Sequence, residues 1–174
     1  MGAPWRGTSM GVIRGSSYYT VVDGSNWSLA QSNASAIGGD LVTINDSSED
    51  SWLHSEYDIY KNTLTQSIQD SELDLYWIGL TDKDQEGNWR WISGEEVTYT
   101  NWEGLNNAGG NQNYGWLHSS YPGQWDDNWN TDNLVSQGIA EIPLSYFSIS
   151  DLTLEEGDLD CLQLISGEGL SGVS

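Results

Sequence analysis

Cysteine is almost absent from this chain: Cys161 is the only one among its 174 residues. A single cysteine excludes an intrachain disulfide and a cysteine-based zinc cluster within this sequence. The length suffices for one domain with a real core, whose stability must come from packing. The chain has 10 Trp and 9 Tyr against 1 Phe, and we expect these aromatic side chains to supply that packing.

Cationic residues are also scarce. Lys and Arg number 5 against 26 Asp and Glu, which gives a formal net charge of -21. Such a charge repels nucleic acid and an anionic bilayer surface. We therefore expect neutral or cationic partners, metal ions included, and no nucleic acid. Solubility is a competing explanation for most of the acidity.

Long apolar runs are missing as well. No segment approaches the ~18 apolar residues of a membrane span, so we predict no insertion into a membrane. The sequence MGAPWRGTSMGVIRG at the start lacks the apolar core of a signal peptide. These residues do not support export by an N-terminal signal, and a signal elsewhere stays open.

Residues typical of an active site are few. The two histidines, His54 and His118, have no serine or cysteine nucleophile motif beside them. Adjacent carboxylates such as Asp126 and Asp127 are candidates for glycoside hydrolysis, but adjacency in sequence does not place two carboxyl groups across a substrate. We predict a non-catalytic protein, with a glycoside-active enzyme as the remote alternative.

The periodicity of apolar residues predicts a series of short elements. In chain order these are a strand at 17–22, a helix from Trp27 ended by Gly38 and Gly39, a strand at 40–45, a helix capped by Ser47 or Ser48, and strands at 76–81, 88–93 and 138–144. Residues 101–133 are rich in Asn, Gly, Trp and Asp and are predicted as a long loop region. Without a βαβ repeat, this pattern predicts an α+β fold.

Several of these segments, in this order, resemble the C-type lectin-like domain family. They are WIGLTD, GNWRWISG, YTNW, QWDD and the final GIAEI. The resemblance implies a fold of two helices with small antiparallel sheets and long Trp/Asn/Gly-rich ligand loops. It covers residues 17–144, which leaves 1–16 as an N-terminal extension and 145–174 as a linker, a truncated module or a disordered tail.

The chain departs from the animal members of that family. Ala34 and Ala140 stand at two positions where those members have bridged cysteines, and two small apolar residues fit a replacement of the bridge by packing. In this the chain resembles the disulfide-free members found in bacteria. Residues from 145 onward resemble the start of a Calx-beta-like module.

The resemblance also implies calcium sites in the loops. Calcium takes about 6–8 oxygen ligands. In sugar-binding members one cluster of these ligands also holds the sugar, and its positions here are Asn106, Gln112, Asp126 and Asp127. Gly104 and Leu105 stand where those members have a further oxygen ligand and a proline, so their sugar selectivity does not carry over.

A second calcium position implied by the family uses Asp82, Glu86, Asn107 and Asn113, all with side-chain oxygens. The competing interpretation is that Asp82 and Asn107 only cap turns. The full set of predicted metal ligands is Asp82, Glu86, Asn106, Asn107, Gln112, Asn113, Asp126 and Asp127. Calcium is the predicted cofactor.

Calcium-dependent carbohydrate binding or adhesion is the function that the resemblance implies. The predicted ligand-binding residues are Asn106, Gln112, Trp116, Asp126, Asp127 and Trp129. We expect a glycan or cell-surface protein as partner, and an extracellular or cell-surface location within a larger, multidomain exported protein. The alternative is a calcium-independent protein-binding module with an aromatic surface. Core packing is the competing role for each tryptophan there, and we expect it more for Trp102 and Trp125 than for Trp116 and Trp129.

Overall fold

The computed structural model describes residues 11–57, 75–104, 110–117, 124–130 and 135–147. Within these ranges the helices are α1 (Trp27–Ala36) and α2 (Ser47–Glu56). The strands are β1 (Val12–Arg14), β2 (Ser17–Asp23), β3 (Asp40–Leu41), β4 (Tyr76–Thr81), β5 (Arg90–Trp91), β6 (Tyr114–Leu117), β7 (Trp125–Asn128) and β8 (Gln137–Pro143), followed by one 3-10 turn (Leu144–Tyr146). The predicted α+β class is confirmed.

The strands form one 8-stranded sheet in the order β1-β2-β8-β4-β6-β7, with β3 paired to β8 and β5 paired to β4. The pairing is antiparallel except between β4 and β8, which run parallel. The sheet is therefore mixed and not purely antiparallel. Every residue of the central strand β4 is buried, as its nearly continuous apolar sequence predicts.

Asx side chains begin both helices. Asn26 Oδ1 accepts a hydrogen bond from Leu29 N at 2.8 Å. Asp46, in an extended conformation, accepts from the amides of Ser48 and Glu49 at 2.8 and 2.9 Å. The predicted cap at Ser47 or Ser48 is therefore wrong, because a carboxylate one residue earlier already reaches two free amides of the first turn.

Two clusters of buried apolar residues flank the sheet's central strands. The first contains Ile78, Trp91 and Trp125, and the second contains Trp27, Trp77, Trp116, Ala34 and Ala140. Both Ala34 and Ala140 are 0% exposed. Their place in one cluster is what the replacement of a bridge by apolar packing requires.

The region 101–133 differs most from its prediction. Instead of an unbroken loop it contains β6 and β7, which pair in register from Tyr114 with Asn128 to Leu117 with Trp125. A Cβ on Gly115 would lie 3.1 Å from Leu80 and 3.3 Å from Ile78, so glycine lets β6 pack closely on the side chains of β4. This strand is hidden from propensity analysis because tryptophan and glycine do the packing that branched aliphatic residues usually do.

Other boundaries also moved. The predicted strands at 40–45 and 88–93 shorten to β3 and β5, with two residues each. Strand β1 lies inside the segment 1–16 that was predicted as an extension, and it pairs with β2. By its internal contacts the chain divides into two compact units, Met1–Leu144 and Ser145–Ser174.

The segment that resembles a Calx-beta-like module falls almost wholly at 148–174, outside the described residues. A search of the described ranges for a helix long and apolar enough to span a bilayer found none.

Candidate functional site

Polar residues meet where β4, β6 and β7 lie side by side. Asp82 follows β4, Asn113 precedes β6, and Asn128 ends β7. Asp82 N donates to Asn113 O at 3.3 Å, and Asn113 N donates to Asn128 O at 3.0 Å. Thr81 Oγ1 also donates to Asn113 O, at 2.7 Å. Main-chain hydrogen bonds thus join three segments that are far apart in sequence.

Asp82 is 1% exposed. Its Oδ2 accepts from Gly87 N at 2.7 Å, and its carbonyl accepts from Gln85 N at 2.9 Å, so Asp82 does cap the turn that follows β4. Its Oδ1 is also buried, and no donor among the described residues reaches it. An unpaired buried carboxylate oxygen is costly, and a bound cation at this place would remove that cost.

Asp126 and Asp127 are adjacent in β7. The register sets Asp126 opposite Trp116 and Asp127 opposite Gly115, so the two side chains leave opposite faces of the strand. Asp126 Oδ1 nevertheless accepts from Asp127 N at 2.8 Å, which turns it back along the chain. Asp127 is 3% exposed and Asp126 is half-buried.

The pKa of Asp127 shows that these charges interact. This pKa is raised from 3.8 to about 7, first by burial and then by the negative charge of Asp126, with a smaller contribution from Asp82, while a backbone hydrogen bond opposes the shift. We call Asp82, Asp126 and Asp127 the β4–β7 carboxylates. Such a group is more stable with a bound cation or proton than with every carboxyl ionised.

The other predicted metal ligands are more exposed or lie outside the described residues. Glu86 is exposed, while Gln112 and Asn113 are half-buried. Asn106 and Asn107 lie outside the described residues. Within the described ranges, no group of three or more His, Cys, Asp or Glu side chains is arranged to hold a metal ion. A calcium site here needs amide and main-chain oxygens in addition to the β4–β7 carboxylates, and calcium accepts such ligands.

The predicted aromatic surface is reduced to one residue. Trp116 is 5% exposed and packs in the second core cluster, so it offers no face to a ligand. Trp125 is fully buried and Trp102 is half-buried. Trp129 is 55% exposed, and it follows Asn128, whose Oδ1 accepts from Trp129 N at 2.8 Å.

The next residue holds this segment in place. Asn130 Oδ1 accepts from Ser28 N at 3.1 Å and from Ser28 Oγ at 3.2 Å. The start of α1 and the end of β7 are therefore joined, and Trp129 is presented to solvent between two anchored asparagines.

The role of Asp50, in the first part of α2, was not predicted from the sequence. Asp50 is 2% exposed and accepts hydrogen bonds from Trp125 Nε1, Asn101 Nδ2 and Tyr99 Oη at 2.8, 2.8 and 3.1 Å. A signal did exist, because Asp50 precedes the apolar Leu53 by three residues and therefore shares its helix face.

Two further carboxylates, Glu49 and Glu141, were also not predicted from the sequence. Glu49 Oε1 and Glu141 Oε1 each lie 3.0 Å from the hydroxyl of Tyr19. Glu49 Oε2 accepts from Asn45 N at 3.0 Å, and Glu141 Oε2 accepts from Thr43 N at 3.3 Å. We call Glu49 and Glu141 the Tyr19 carboxylates.

Comparison with known proteins places this site in a family. A profile described as the lectin C-type domain matches residues 23–134. Perlucin-like protein of Mytilus galloprovincialis is 34% identical over 112 residues, which cover 63% of this chain and 66% of that protein. Alpha-N-acetylgalactosamine-specific lectin of Patiria pectinifera is 34% identical over 68 residues, 39% of this chain and 40% of that protein. This chain thus spans less than two thirds of either relative.

The fold agrees with the profile. The crystal structure of human lithostathine superposes with a TM-score of 0.63 at 22% identity, over 79% of this chain and 91% of that one. The profile match extends from the end of β2 into the region beyond β7 and includes all three β4–β7 carboxylates. Domains of this kind are binding modules and not enzymes, in agreement with the non-catalytic prediction. The chain belongs to the C-type lectin domain family.

Proposed function

We propose that this chain is a carbohydrate-binding module that holds its glycan with the help of calcium bound at the β4–β7 carboxylates. The observation that carries the proposal is Asp82 Oδ1, a buried carboxylate oxygen that no donor among the described residues reaches, together with Asp127, whose pKa is raised by burial and by the charges of Asp126 and Asp82. A hard cation suits that place. The printed name of the Patiria pectinifera relative, a lectin specific for a sugar, supports the ligand class.

The candidate ligands divide between two calcium positions. Asp126, Asp127 and the half-buried Gln112, with Asn106, belong to the position that would also hold the sugar. Asp82, the exposed Glu86 and the half-buried Asn113, with Asn107, belong to the second position. Asn106 and Asn107 lie outside the described residues. Bound calcium would supply coordination to sugar hydroxyls, and the exposed ring of Trp129 would cover an apolar face of the sugar.

The wider setting is part of the same proposal. The module serves adhesion at the cell surface or outside the cell, within a larger exported protein that places a Calx-beta-like module after residue 144. The burial of Ala34 and Ala140 in one apolar cluster supports the disulfide-free style seen in bacterial members.

Glycan-array binding, with calcium or with a chelator, tests this function. We expect binding with calcium, loss with chelator, and a loss of at least about tenfold in affinity for Asp127→Asn. Asp23→Asn is the matched control, because it removes the same charge from an exposed position on β2 and should bind normally. Glycan binding that survives both the chelator and Asp127→Asn would contradict the calcium proposal.

A calcium-independent protein-binding module is the second candidate, and the exposed Trp129 favours it. An aromatic ring that is 55% exposed on an anchored segment is typical of a residue at the centre of an interface. Absence of glycan binding under both conditions, together with chelator-resistant binding to a surface protein, would select this function.

A further inference from the structure

Two arms of the chain lead into the proposed calcium site. One is the segment from Tyr99 to Gly104, directly before residues 105–109, which include Asn106 and Asn107. The other is β7, in which Trp125 directly precedes Asp126 and Asp127. Any distance between ligands on the two arms depends on how firmly the arms are held against each other.

Main-chain hydrogen bonds pair the arms over a short length. Trp125 N donates to Asn101 O at 2.7 Å, and Glu103 N donates to Trp125 O at 2.8 Å. Trp102 and Trp125 form the bridge between them, in parallel. Only one residue of β7 takes part, so a pairing this short needs support from elsewhere.

That support converges on one side chain of α2. The carboxylate of Asp50 accepts from Trp125 Nε1 with Oδ1, and from Tyr99 Oη and Asn101 Nδ2 with Oδ2. His54 Nε2 lies 3.6 Å from Oδ1, one helical turn further along. Asp50 thus bonds to both arms at once, from a helix that is part of neither.

We propose that Asp50 is a positioning residue that locks the two arms of the calcium site in register. Its effect on calcium rests on the proposed function, whereas its effect on the arms does not. A carboxylate suits this role because it only accepts hydrogen bonds and can take several donors, and here three donors from two segments face it. The isosteric amide would direct an N–H group at one of those donors.

Amide hydrogen exchange of the calcium-free protein tests the lock directly. In Asp50→Asn we expect the amides of Trp125 and Glu103 to exchange at least about tenfold faster. Val42 N, which donates to Ile139 O at 2.8 Å in the centre of the sheet, should keep its protection. Tyr99→Phe removes one donor of the three and should give a smaller change of the same kind.

Tyr19→Phe is the matched control, since it removes the hydroxyl donor shared by Glu49 and Glu141, two carboxylates that belong to neither arm. Even where Tyr19→Phe lowers the melting temperature as much as Asp50→Asn does, it should leave the amides of Trp125 and Glu103 protected from exchange. Calcium titration provides the second measurement, in which Asp50→Asn should raise the Kd at least about tenfold and Tyr19→Phe should change it less than about twofold.

The outcomes separate the two proposals. Unchanged protection of Trp125 and Glu103 in Asp50→Asn, or an equal loss in Tyr19→Phe, overturns the lock. Faster exchange with unchanged calcium affinity overturns the role of Asp50 in the calcium site. A wild-type protein that binds no calcium, together with faster exchange in Asp50→Asn, supports the lock and refutes the proposed function.

Discussion

The β4–β7 carboxylates and the Tyr19 carboxylates are two groups of buried or half-buried acids with different needs. The single hydroxyl proton of Tyr19 is shared between Glu49 Oε1 and Glu141 Oε1, and Arg14 Nη1 also donates to Glu49 Oε1 at 3.3 Å. The amides of Asn45 and Thr43 donate to the other two oxygens. Asp82, by contrast, keeps one buried oxygen that no donor among the described residues reaches.

The difference teaches that acidity alone does not mark a site. Where the chain supplies its own donors, carboxylates join strands and a helix and need no ion. Where it does not, a buried carboxylate oxygen is left without a donor, and this costs stability. The following predictions test this contrast.

Calcium should stabilise the protein through one group only. At about 100 times its Kd, calcium should add about 2.7 kcal/mol to the free energy of unfolding. Thermal unfolding with and without calcium should show this gain in the wild type and in Glu49→Gln, and should not show it in Asp82→Asn. A gain that disappears in Glu49→Gln and survives in Asp82→Asn would reverse the assignment.

Without calcium, the two groups should respond in opposite ways to the loss of a polar atom. Tyr19→Phe deprives buried carboxylates of a donor and should cost about 1–3 kcal/mol. Asp82→Asn removes charge from an oxygen that has no partner, so it should cost nothing or should stabilise. Urea unfolding in chelator measures both variants, and a larger loss in Asp82→Asn than in Tyr19→Phe would contradict the contrast.

The pH dependence of stability without calcium should come from Asp127. Its pKa is raised from 3.8 to about 7 by burial and by the neighbouring acids, so between these values the folded chain keeps a proton that the unfolded chain has lost. Stability should therefore fall as pH rises through this window.

The fall attributable to Asp127 between the two pH values below should be about 2–3 kcal/mol, roughly 4–12 °C in melting temperature. It should be absent in Asp127→Asn, while Asp23→Asn keeps it. The comparison is made by thermal melts in chelator at pH 4.5 and pH 7.5, as chosen test conditions spanning that interval. The same fall in both variants would assign the effect to another group.

The smallest structural effect should come from Trp129→Ala. An exposed side chain contributes little to folding, so the free energy of unfolding should change by less than about 0.5 kcal/mol. Glycan affinity should weaken by about 0.5–1.5 kcal/mol through the loss of a stacking face.

Ile13→Ala is the control for Trp129→Ala. It truncates another apolar residue, which is 48% exposed and precedes Arg14, the ion-pair partner of Glu49. Isothermal titration with the glycan should show unchanged affinity for this control. Equal weakening of glycan binding in both variants would remove Trp129 from the site.

The sequence predicts some parts of this molecule and not others for identifiable reasons. Strand β4 is predictable because a short, nearly continuous apolar run favours a buried strand. The end of α1 is predictable because glycine tolerates the positive φ at which many helices end, and Gly38 does take a φ of 92°. Asp82 and Asp127 were named only through the family resemblance. Nothing local in their sequence places them near each other.

The missed features are those that depend on tertiary contacts. Strands β6 and β7 contain Gly, Asp and Asn, which are depleted in strands, and pairing of β6 with β4 and of β7 with β6 makes them strands. Trp116 was assigned to the ligand surface because a tryptophan in a polar segment could face either way. Asp50 carries no prediction from the sequence, because its three hydrogen-bond donors lie 49 to 75 residues away.

The pairing of β2 with β8 joins an early and a late segment of this domain. Ser17 is opposite Pro143, and Leu144 N donates to Ser16 O at 2.8 Å, so the turn between β1 and β2 lies beside the end of β8. A force that separated Ser16 from Leu144 would open the hydrogen bonds of this strand pair one after another, as in a zipper, instead of shearing them together.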